Sequence, residues 1–174
     1  MITAIVLALL VAQTPPPPVT VTKISAPEKA LRFEVIIPGS LDEVWNAFTT
    51  TDGLSTWLWR DVRVDPRVGG EWMVLYPGGK TGGGTIVSID AKKQITMRAM
   101  APEQFPTVRE TRTTARFEFS AVTTSTTKVT LVQTGWQESR EWDDAYEYLA
   151  GGNATLLGQL HRRFASGPAV WPKD

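Results

Sequence analysis

The residue types that most often carry enzyme chemistry are few in this chain, and their spacing does not form a site. The sequence has no cysteine and a single histidine, His161, so thiol nucleophiles and cysteine-based zinc sites are excluded. A catalytic histidine needs an acid or base that converges on it, and the neighbours Arg162 and Arg163 supply neither. The carboxylate pair Asp143 and Asp144 falls on the outer face of an expected helix. We therefore predict no catalytic residue, no metal site and no cofactor.

The glycine-rich stretch GGKTGGG over residues 78–84 has the composition of a phosphate-binding loop. A phosphate loop of that type would also require glycine where Val74 stands, and a helix, not a strand, after Thr81. The segment Pro77–Gly84 is therefore interpreted as a mobile hairpin loop. Eighteen basic and eighteen acidic residues cancel, which argues against a nucleic-acid partner, because such binding needs an excess of positive charge.

Large aromatic side chains are the unusual feature of the composition, with seven tryptophans in 174 residues. They occur in every element expected to face the interior, in strands where Leu, Ile and Val are scarce. Together with inward-directed amides at Gln133 and Asn153, they indicate a cavity with a few polar groups; the alternative is that the rings simply fill the volume. The predicted ligand-binding residues are Trp57, Trp59, Trp72, Tyr76, Met97, Phe105, Phe117, Phe119, Gln133, Trp136, Trp142, Tyr146 and Asn153.

Periodicity places these residues on a simple succession of elements. A strand over 31–37 is followed by Ser40-Leu41-Asp42-Glu43, a capping box that predicts a helix start. A second short helix is expected over 52–58, with Thr51 or Asp52 as its cap. From Val62 onward a period of two predicts strands, interrupted by a proline-containing loop over 101–110.

The segment after Gly135 predicts one long helix of about seven turns. Steps of about 100° per residue bring its large apolar side chains to one face. That face comprises Trp142, Tyr146, Leu149, Asn153, Leu156, Leu157, Leu160 and Phe164. An apolar stripe of this width must cover a sheet. The expected fold is α+β: a curved antiparallel sheet of about six to seven strands around a long C-terminal helix, with two short helices after the first strand.

The N-terminal residues 1–12 are almost continuously apolar, and four prolines follow them closely. The run is too short to span a bilayer but suits a secretion signal. It predicts export to the periplasm, with a short retained anchor as the variant and a cytoplasmic location if the segment is not a signal; no stable membrane span is expected. Residues 13–29 are interpreted as a proline-rich spacer and lead-in, 30–165 as the folded domain and 166–174 as a C-terminal tail.

Four stretches in this order resemble the START-like, or Bet v 1-like (SRPBCC), helix-grip superfamily. They are VWNAFTTTDGLSTWL at 44–58, DPRVGGEW at 65–72, APEQFPTVR at 101–109 and TKVTLVQTGWQESREWDDAYEYL at 127–149. The most similar branch is named for the C-terminal domain of the activator of the 90-kDa heat-shock protein ATPase. The resemblance implies a seven-stranded sheet that grips the C-terminal helix, with a deep apolar cavity between them.

Two departures from that branch concern the cavity. Trp59-Arg60 stands where relatives often carry Ala-Pro, and would narrow or cap the mouth. Asn153 stands where relatives commonly carry Trp, and Gly151-Gly152 precede it. This exchange predicts an enlarged, polar end of the cavity or, alternatively, a local break in the helix.

The sequence leaves three functions open. The leading hypothesis is that the domain binds an apolar or amphipathic small molecule. The second is a cyclase- or hydrolase-like enzyme using Glu71, Arg98 or Glu110, although strand alternation places Glu71 and Arg98 on the outer face of the sheet. The third is a protein-interaction module related to the heat-shock protein 90 activators, for which a chaperone partner is possible only if the protein is cytosolic.

Overall fold

The computed structural model describes residues 18–172, and within them the chain forms eight strands and four helices. In chain order they are β1 (Val19–Ile24), β2 (Ala30–Ile37), α1 (Leu41–Thr49), α2 (Thr51–Ser55), β3 (Val62–Val64), β4 (Glu71–Leu75), β5 (Thr81–Asp90), β6 (Gln94–Met100), α3 (Pro106–Thr111), β7 (Thr113–Ala121), β8 (Thr127–Thr134) and α4 (Arg140–Ser166). The predicted signal or anchor at 1–12 lies outside the described residues. No helix within 18–172 has the length and apolar character needed to cross a bilayer.

All eight strands belong to one antiparallel sheet with the order β1-β2-β8-β7-β6-β5-β4-β3. The last strand in sequence, β8, lies between β2 and β7 and closes the middle of the sheet. The α+β helix-grip prediction is confirmed, with one strand more than the six to seven expected. The additional edge strand is β1, which falls inside the segment 13–29 that was predicted to be a spacer.

Capping side chains fix the start of each of the two short helices. Ser40 and Glu43 form the predicted capping box, in which the Ser40 backbone N–H donates to Glu43 Oε2 at 2.9 Å and fixes the start of α1. The cap of α2 is Thr50, whose Oγ1 accepts from the Gly53 N–H at 2.9 Å, not Thr51 or Asp52 as predicted.

The segment 101–110, predicted to be a loop, contains most of α3. Pro106 occupies the first turn of this helix, where its missing N–H is not needed and its fixed φ favours helix formation. The first turn is held from outside by Glu141 of α4, whose Oε1 accepts from the Thr107 N–H at 2.7 Å and the Val108 N–H at 3.2 Å.

The glycine-rich segment 77–84 was also predicted to be a loop, and the second half of that prediction is wrong. Only Pro77–Gly79 forms a tight 3-10 turn, and the chain then continues as β5 through three successive glycines. Gly83 has φ of +110°, and a Cβ atom there would stand 1.9 Å from the carbonyl oxygen of Trp72. Glycine is therefore required at Gly83 for β4 and β5 to approach each other.

The long helix α4 runs without interruption for 27 residues across the sheet. The predicted alternative of a helix break at Gly151 and Gly152 is therefore wrong. The tail beyond α4 returns to α2, where the Ala169 N–H donates to the Thr56 carbonyl at 2.8 Å and Trp171 Nε1 donates to the Ser55 carbonyl at 2.7 Å.

Candidate functional site

A cavity of about 340 Å³ lies between the sheet and the middle of α4. It has more than twice the volume of the engineered cavity of about 150 Å³ that holds a benzene molecule. Its wall is mostly apolar and comes from the five strands β4 to β8, from the loops beside them and from α4. The lining residues are Leu58, Trp72, Val74, Tyr76, Lys80, Thr81, Gly82, Gly83, Met97, Ala99, Met100, Pro102, Glu103, Ala115, Phe117, Leu131, Gln133, Tyr148, Leu149, Gly152, Asn153 and Leu156.

The cavity opens to solvent between two tyrosines. Tyr76 is 41% exposed and Tyr148 is 50% exposed, and the exposed side chains of Lys80 and Glu103 lie on the same part of the wall. Partial burial, and to a smaller extent the neighbouring Tyr148, raises the pKa of the Tyr76 phenol above its ordinary value. The Tyr76 hydroxyl is therefore neutral at physiological pH and available as a hydrogen-bond donor.

Two amides form the polar part of the inner wall. Asn153 Nδ2 on α4 donates to Gln133 Oε1 on β8 at 2.7 Å, and Gln133 Nε2 donates to Thr113 Oγ1 on β7 at 2.7 Å. Gln133 is only 4% exposed, so its amide is held in place by its two neighbours. This chain of hydrogen bonds ties α4 to the sheet where the cavity separates them.

The structure brings together part of the predicted binding set. The predicted residues that line the cavity are Trp72, Tyr76, Met97, Phe117, Gln133 and Asn153. They come from β4, β6, β7, β8, α4 and the turn after β4, so the convergence expected from strand and helix periodicity does occur for this group.

Another part of the predicted set packs into a solid aromatic core beside the cavity. The ring of Phe48 on α1 lies 5.1 Å from that of Trp57 and 4.9 Å from that of Phe119, centroid to centroid. Trp57 Nε1 donates to the Ala47 carbonyl at 2.9 Å. Trp57 and Phe119 are not among the residues that line the cavity, and their rings pack against Phe48 in the core.

Four more predicted residues lie at the N-terminal end of α4. Phe105 and Trp142 are buried in a separate small cluster, and the ring of Trp136 lies 6.3 Å from Trp142 and 5.0 Å from Tyr146. The Tyr146 hydroxyl donates to the Ala30 carbonyl at 2.9 Å. These residues anchor α4 and α3 to the sheet and do not line the cavity.

Trp59 was predicted to narrow or cap the mouth, and it lies next to the mouth without lining the cavity. Its ring centroid is 5.8 Å from that of Tyr76 and 5.1 Å from that of Trp171 in the tail. Its indole Nε1 is buried without a hydrogen-bond partner in the described part of the chain. Trp59 thus supports the outer side of Tyr76.

The remaining lining residues were missed because their types carry no signal for a cavity. Leu58, Val74, Leu131 and Leu156 are ordinary core residues in sequence, and the glycines of β5 were interpreted as a loop. Tyr148 falls on the flank of the predicted apolar stripe, about 240° round the helix from Trp142 at about 100° per residue. Tyr148 nevertheless lines the cavity, with its ring 5.5 Å from that of Phe105.

The candidate acid and base residues do not meet the cavity. Glu71 and Glu110 are exposed, and Arg98 is engaged on the outer side by the Thr114 hydroxyl and by the carbonyls of Thr111 and Arg112 at 2.7–3.1 Å. No cluster of three or more potential metal ligands occurs among residues 18–172.

An open antiparallel sheet covered by a long C-terminal helix, with a cavity between them, defines a helix-grip domain. The family described as Activator of Hsp90 ATPase homolog 1-like protein matches residues 39–165. The chain therefore belongs to this family. No curated protein sequence matches the chain.

Solved structures share the fold at low sequence identity. The Aha1 dimer from Colwellia psychrerythraea is 20% identical, with a TM-score of 0.65 over 80% of this chain and 98% of that one. Protein MLL2253 from Mesorhizobium loti is 18% identical, with a TM-score of 0.63 over 76% and 94%. CalU16 from Micromonospora echinospora is 17% identical, with a TM-score of 0.59 over 87% and 84%. These likenesses establish the fold.

Proposed function

We propose that the protein binds an apolar or amphipathic small molecule in the cavity between the sheet and α4. The observation that carries the proposal is the cavity itself, about 340 Å³ in volume and mostly apolar, with Gln133 and Asn153 on its wall. Ligand sites are typically cavities of about 300–1,000 Å³ with apolar walls and a few polar groups that orient the ligand.

The size and chemistry of the wall support useful affinity. Each well-buried apolar group of the ligand contributes about 1.5–3 kcal/mol by leaving water. Three such groups of about 2.5 kcal/mol each and one hydrogen bond of about 1 kcal/mol reach the free energy of about 8 kcal/mol that corresponds to micromolar binding. The open mouth between Tyr76 and Tyr148 gives the ligand a route of entry and lets a polar end remain in solvent.

An enzymatic function has less support from the site. The titratable side chains on the wall are Tyr76, Lys80, Glu103 and Tyr148, and all four are exposed at the mouth. The inner wall offers amides and apolar groups, which orient a ligand but do not transfer protons at neutral pH. A cyclase- or hydrolase-like activity would have to use the mouth residues, where Tyr76 is the less exposed of the two tyrosines.

Export to the periplasm is part of the proposal, and a chaperone partner belongs only to its cytosolic alternative. The support is the apolar segment 1–12 followed by prolines. A small-molecule binder needs no ATP-driven partner, so the binding proposal holds in either location.

Native mass spectrometry of the protein purified from its own host tests ligand binding and export together. We expect an intact mass increased by a dissociable small molecule, on a chain that has lost about twelve residues at the N-terminus. Protein isolated without any bound molecule, and unable to take one up from a total lipid and metabolite extract, would contradict ligand binding. A full-length mature chain would contradict cleavage of the segment as a signal and would leave the retained anchor and the cytoplasmic location as the alternatives.

A further inference from the structure

We propose that the ligand is a neutral alcohol or phenol of about two-ring size whose hydroxyl group hydrogen-bonds to the side-chain amide of Asn153. This inference rests on the proposed function and specifies the ligand class. It follows from the hydrogen bonds that Asn153 leaves free, from the absence of charge on the inner wall and from the cavity volume.

The amide of Asn153 has unused hydrogen-bonding capacity inside the cavity. A primary amide has two N–H donors and one carbonyl acceptor. In the described chain, Asn153 uses one donor, to Gln133 Oε1 at 2.7 Å, and its Oδ1 accepts no hydrogen bond from the protein. One N–H and the carbonyl oxygen therefore remain for a ligand. A hydroxyl group both donates and accepts, so a single hydroxyl can use both sites.

Gln133 acts behind Asn153 as a positioning residue. Its Oε1 holds Asn153 while its Nε2 is bonded to the Thr113 hydroxyl at 2.7 Å. With both ends of the Gln133 amide engaged and the residue buried, Asn153 is the member of the chain that faces the cavity. The fixed orientation lowers the entropy cost of the ligand hydrogen bond.

The inner wall is unsuited to a charged group. The only charged lining residues are Lys80 and Glu103, both exposed at the mouth. Burying a carboxylate or an ammonium group without a counter-ion costs far more than burying a hydroxyl group that finds a partner. The polar group that reaches Asn153 is therefore neutral, and a charged group on the same ligand would stay at the mouth.

The volume sets the size of the apolar part. A cavity of about 150 Å³ holds one benzene ring, so about 340 Å³ accommodates two fused rings or a comparable branched chain. The apolar wall of Trp72, Met97, Phe117 and Leu131 offers rings and thioether groups against which an aromatic ligand packs well.

Three matched probes test the inference: 2-naphthol, naphthalene and 2-naphthoate, each titrated into the full chain by isothermal calorimetry. We expect Asn153→Leu, which keeps the side-chain size and removes the amide, to weaken 2-naphthol about tenfold. Naphthalene and 2-naphthoate should change less than twofold. Asn46→Leu, the same exchange on the exposed face of α1, is the matched control and should leave all three affinities unchanged.

A second variant separates the ligand contact from a purely structural role of Asn153. Asn153→Ala removes the same amide without adding bulk and should lose the advantage of 2-naphthol over naphthalene, whereas Asn153→Ser keeps a neutral donor and acceptor and should retain at least half of it. Circular dichroism melts confirm that each variant is folded, and an unfolded Asn153→Leu leaves this pair of variants to decide between the outcomes.

The failures of the two proposals are distinguishable. If 2-naphthol and naphthalene bind equally, or lose affinity equally in Asn153→Leu, the hydroxyl-binding role is overturned while the binding cavity stands. If neither probe binds at any soluble concentration, ligand binding in the cavity and the inference both fail.

Discussion

Asn153 Nδ2 donates a hydrogen bond to Gln133 Oε1 at 2.7 Å and thereby joins α4 to the middle of the sheet. The two residues come from opposite walls of the cavity, and each amide is partly shielded from water. This bond fixes the width of the cavity at its polar position, while apolar side chains set its width elsewhere. Ligand binding should therefore be most sensitive to changes at Asn153 and Gln133.

Filling the cavity from this position should abolish binding. Asn153→Trp places an indole in the space between α4 and β8, and a cavity of about 340 Å³ cannot hold both that ring and a two-ring ligand. We expect the affinity for 2-naphthol to fall at least tenfold by calorimetry, while the free energy of unfolding is unchanged or higher because the indole adds buried apolar area. Asn46→Trp on α1 is the control, and undiminished binding in Asn153→Trp would place the ligand elsewhere.

The backbone of the β4–β5 wall depends on Gly83. A methyl group there would meet the Trp72 carbonyl oxygen at 1.9 Å, and the φ of +110° is unfavourable for any other residue. We expect Gly83→Ala to lower the free energy of unfolding by about 2–4 kcal/mol, measured by urea denaturation. A loss below about 0.5 kcal/mol would show that the two strands do not approach each other in this way.

Substitution of the helix glycine Gly151 should change the free energy of unfolding in the opposite direction. It lies within α4, and a Cβ atom there meets no atom within 4 Å. Gly151→Ala is expected to raise the free energy of unfolding by about 0.5–1 kcal/mol, because alanine loses less backbone freedom in a helix. Destabilisation in the same urea assay would indicate that α4 is interrupted at this point after all.

Trp57 and Trp59 differ in their hydrogen bonding, so substitutions at the two positions allow a matched comparison of stability. Trp57 Nε1 donates to the Ala47 carbonyl at 2.9 Å, whereas Trp59 Nε1 is buried without a partner among the described residues. Trp57→Phe should cost about 2–3 kcal/mol of unfolding free energy, since it removes buried ring volume and a hydrogen bond. Trp59→Phe should cost less than half as much, because it removes an unsatisfied donor. Equal losses would contradict the assigned partners.

The contact between α3 and α4 should weaken in acid. Hydrogen bonds from the Thr107 hydroxyl, and from the backbone N–H groups of Val108 and Thr107, hold the pKa of Glu141 below its ordinary value. A lowered pKa in the folded state gives a stabilising contribution that is complete above the unfolded value of about 4.3. It is lost as the pH falls through the lowered folded pKa.

Carbon NMR of the Glu141 carboxyl carbon should therefore show a titration midpoint below the ordinary glutamate value of about 4.3. Glu141→Gln should remove this part of the pH dependence of stability without changing the rest. A midpoint at or above the ordinary value would contradict the assigned cap.

The features that depend on local sequence pattern were predicted correctly. The capping box of Ser40 and Glu43, the inward face of α4 and the inward amides of Gln133 and Asn153 follow from spacing alone, and all are present. The strand β1 was missed because the prolines before it suggested an extended spacer. The helix α3 was missed because Pro106 was interpreted as a loop residue when it begins a helix.

Residue spacing could not show whether an inward side chain lines the cavity or packs in the core. Periodicity places Trp57, Phe119 and Trp142 on interior faces, but the packing of Phe48 and the separate cluster around Trp142 decide that these rings fill volume instead of lining the cavity. Some of the aromatic residues therefore line a cavity and others fill the interior, in different parts of the molecule. The cavity exists where small residues, including the glycines of β5, face Leu149 and Asn153.

Methyl carbon–proton NMR during a titration with naphthalene tests most directly whether this cavity admits a ligand. We expect saturable shifts for the methyl groups of Met97, Leu131 and Leu156, which line the cavity, because a bound ring shifts the resonances of methyl groups that it contacts. Val87 and Val122, which are 44% and 55% exposed, should not move. Shifts that are absent from the three lining residues, or equally large at the two exposed valines, would show that naphthalene does not enter this cavity.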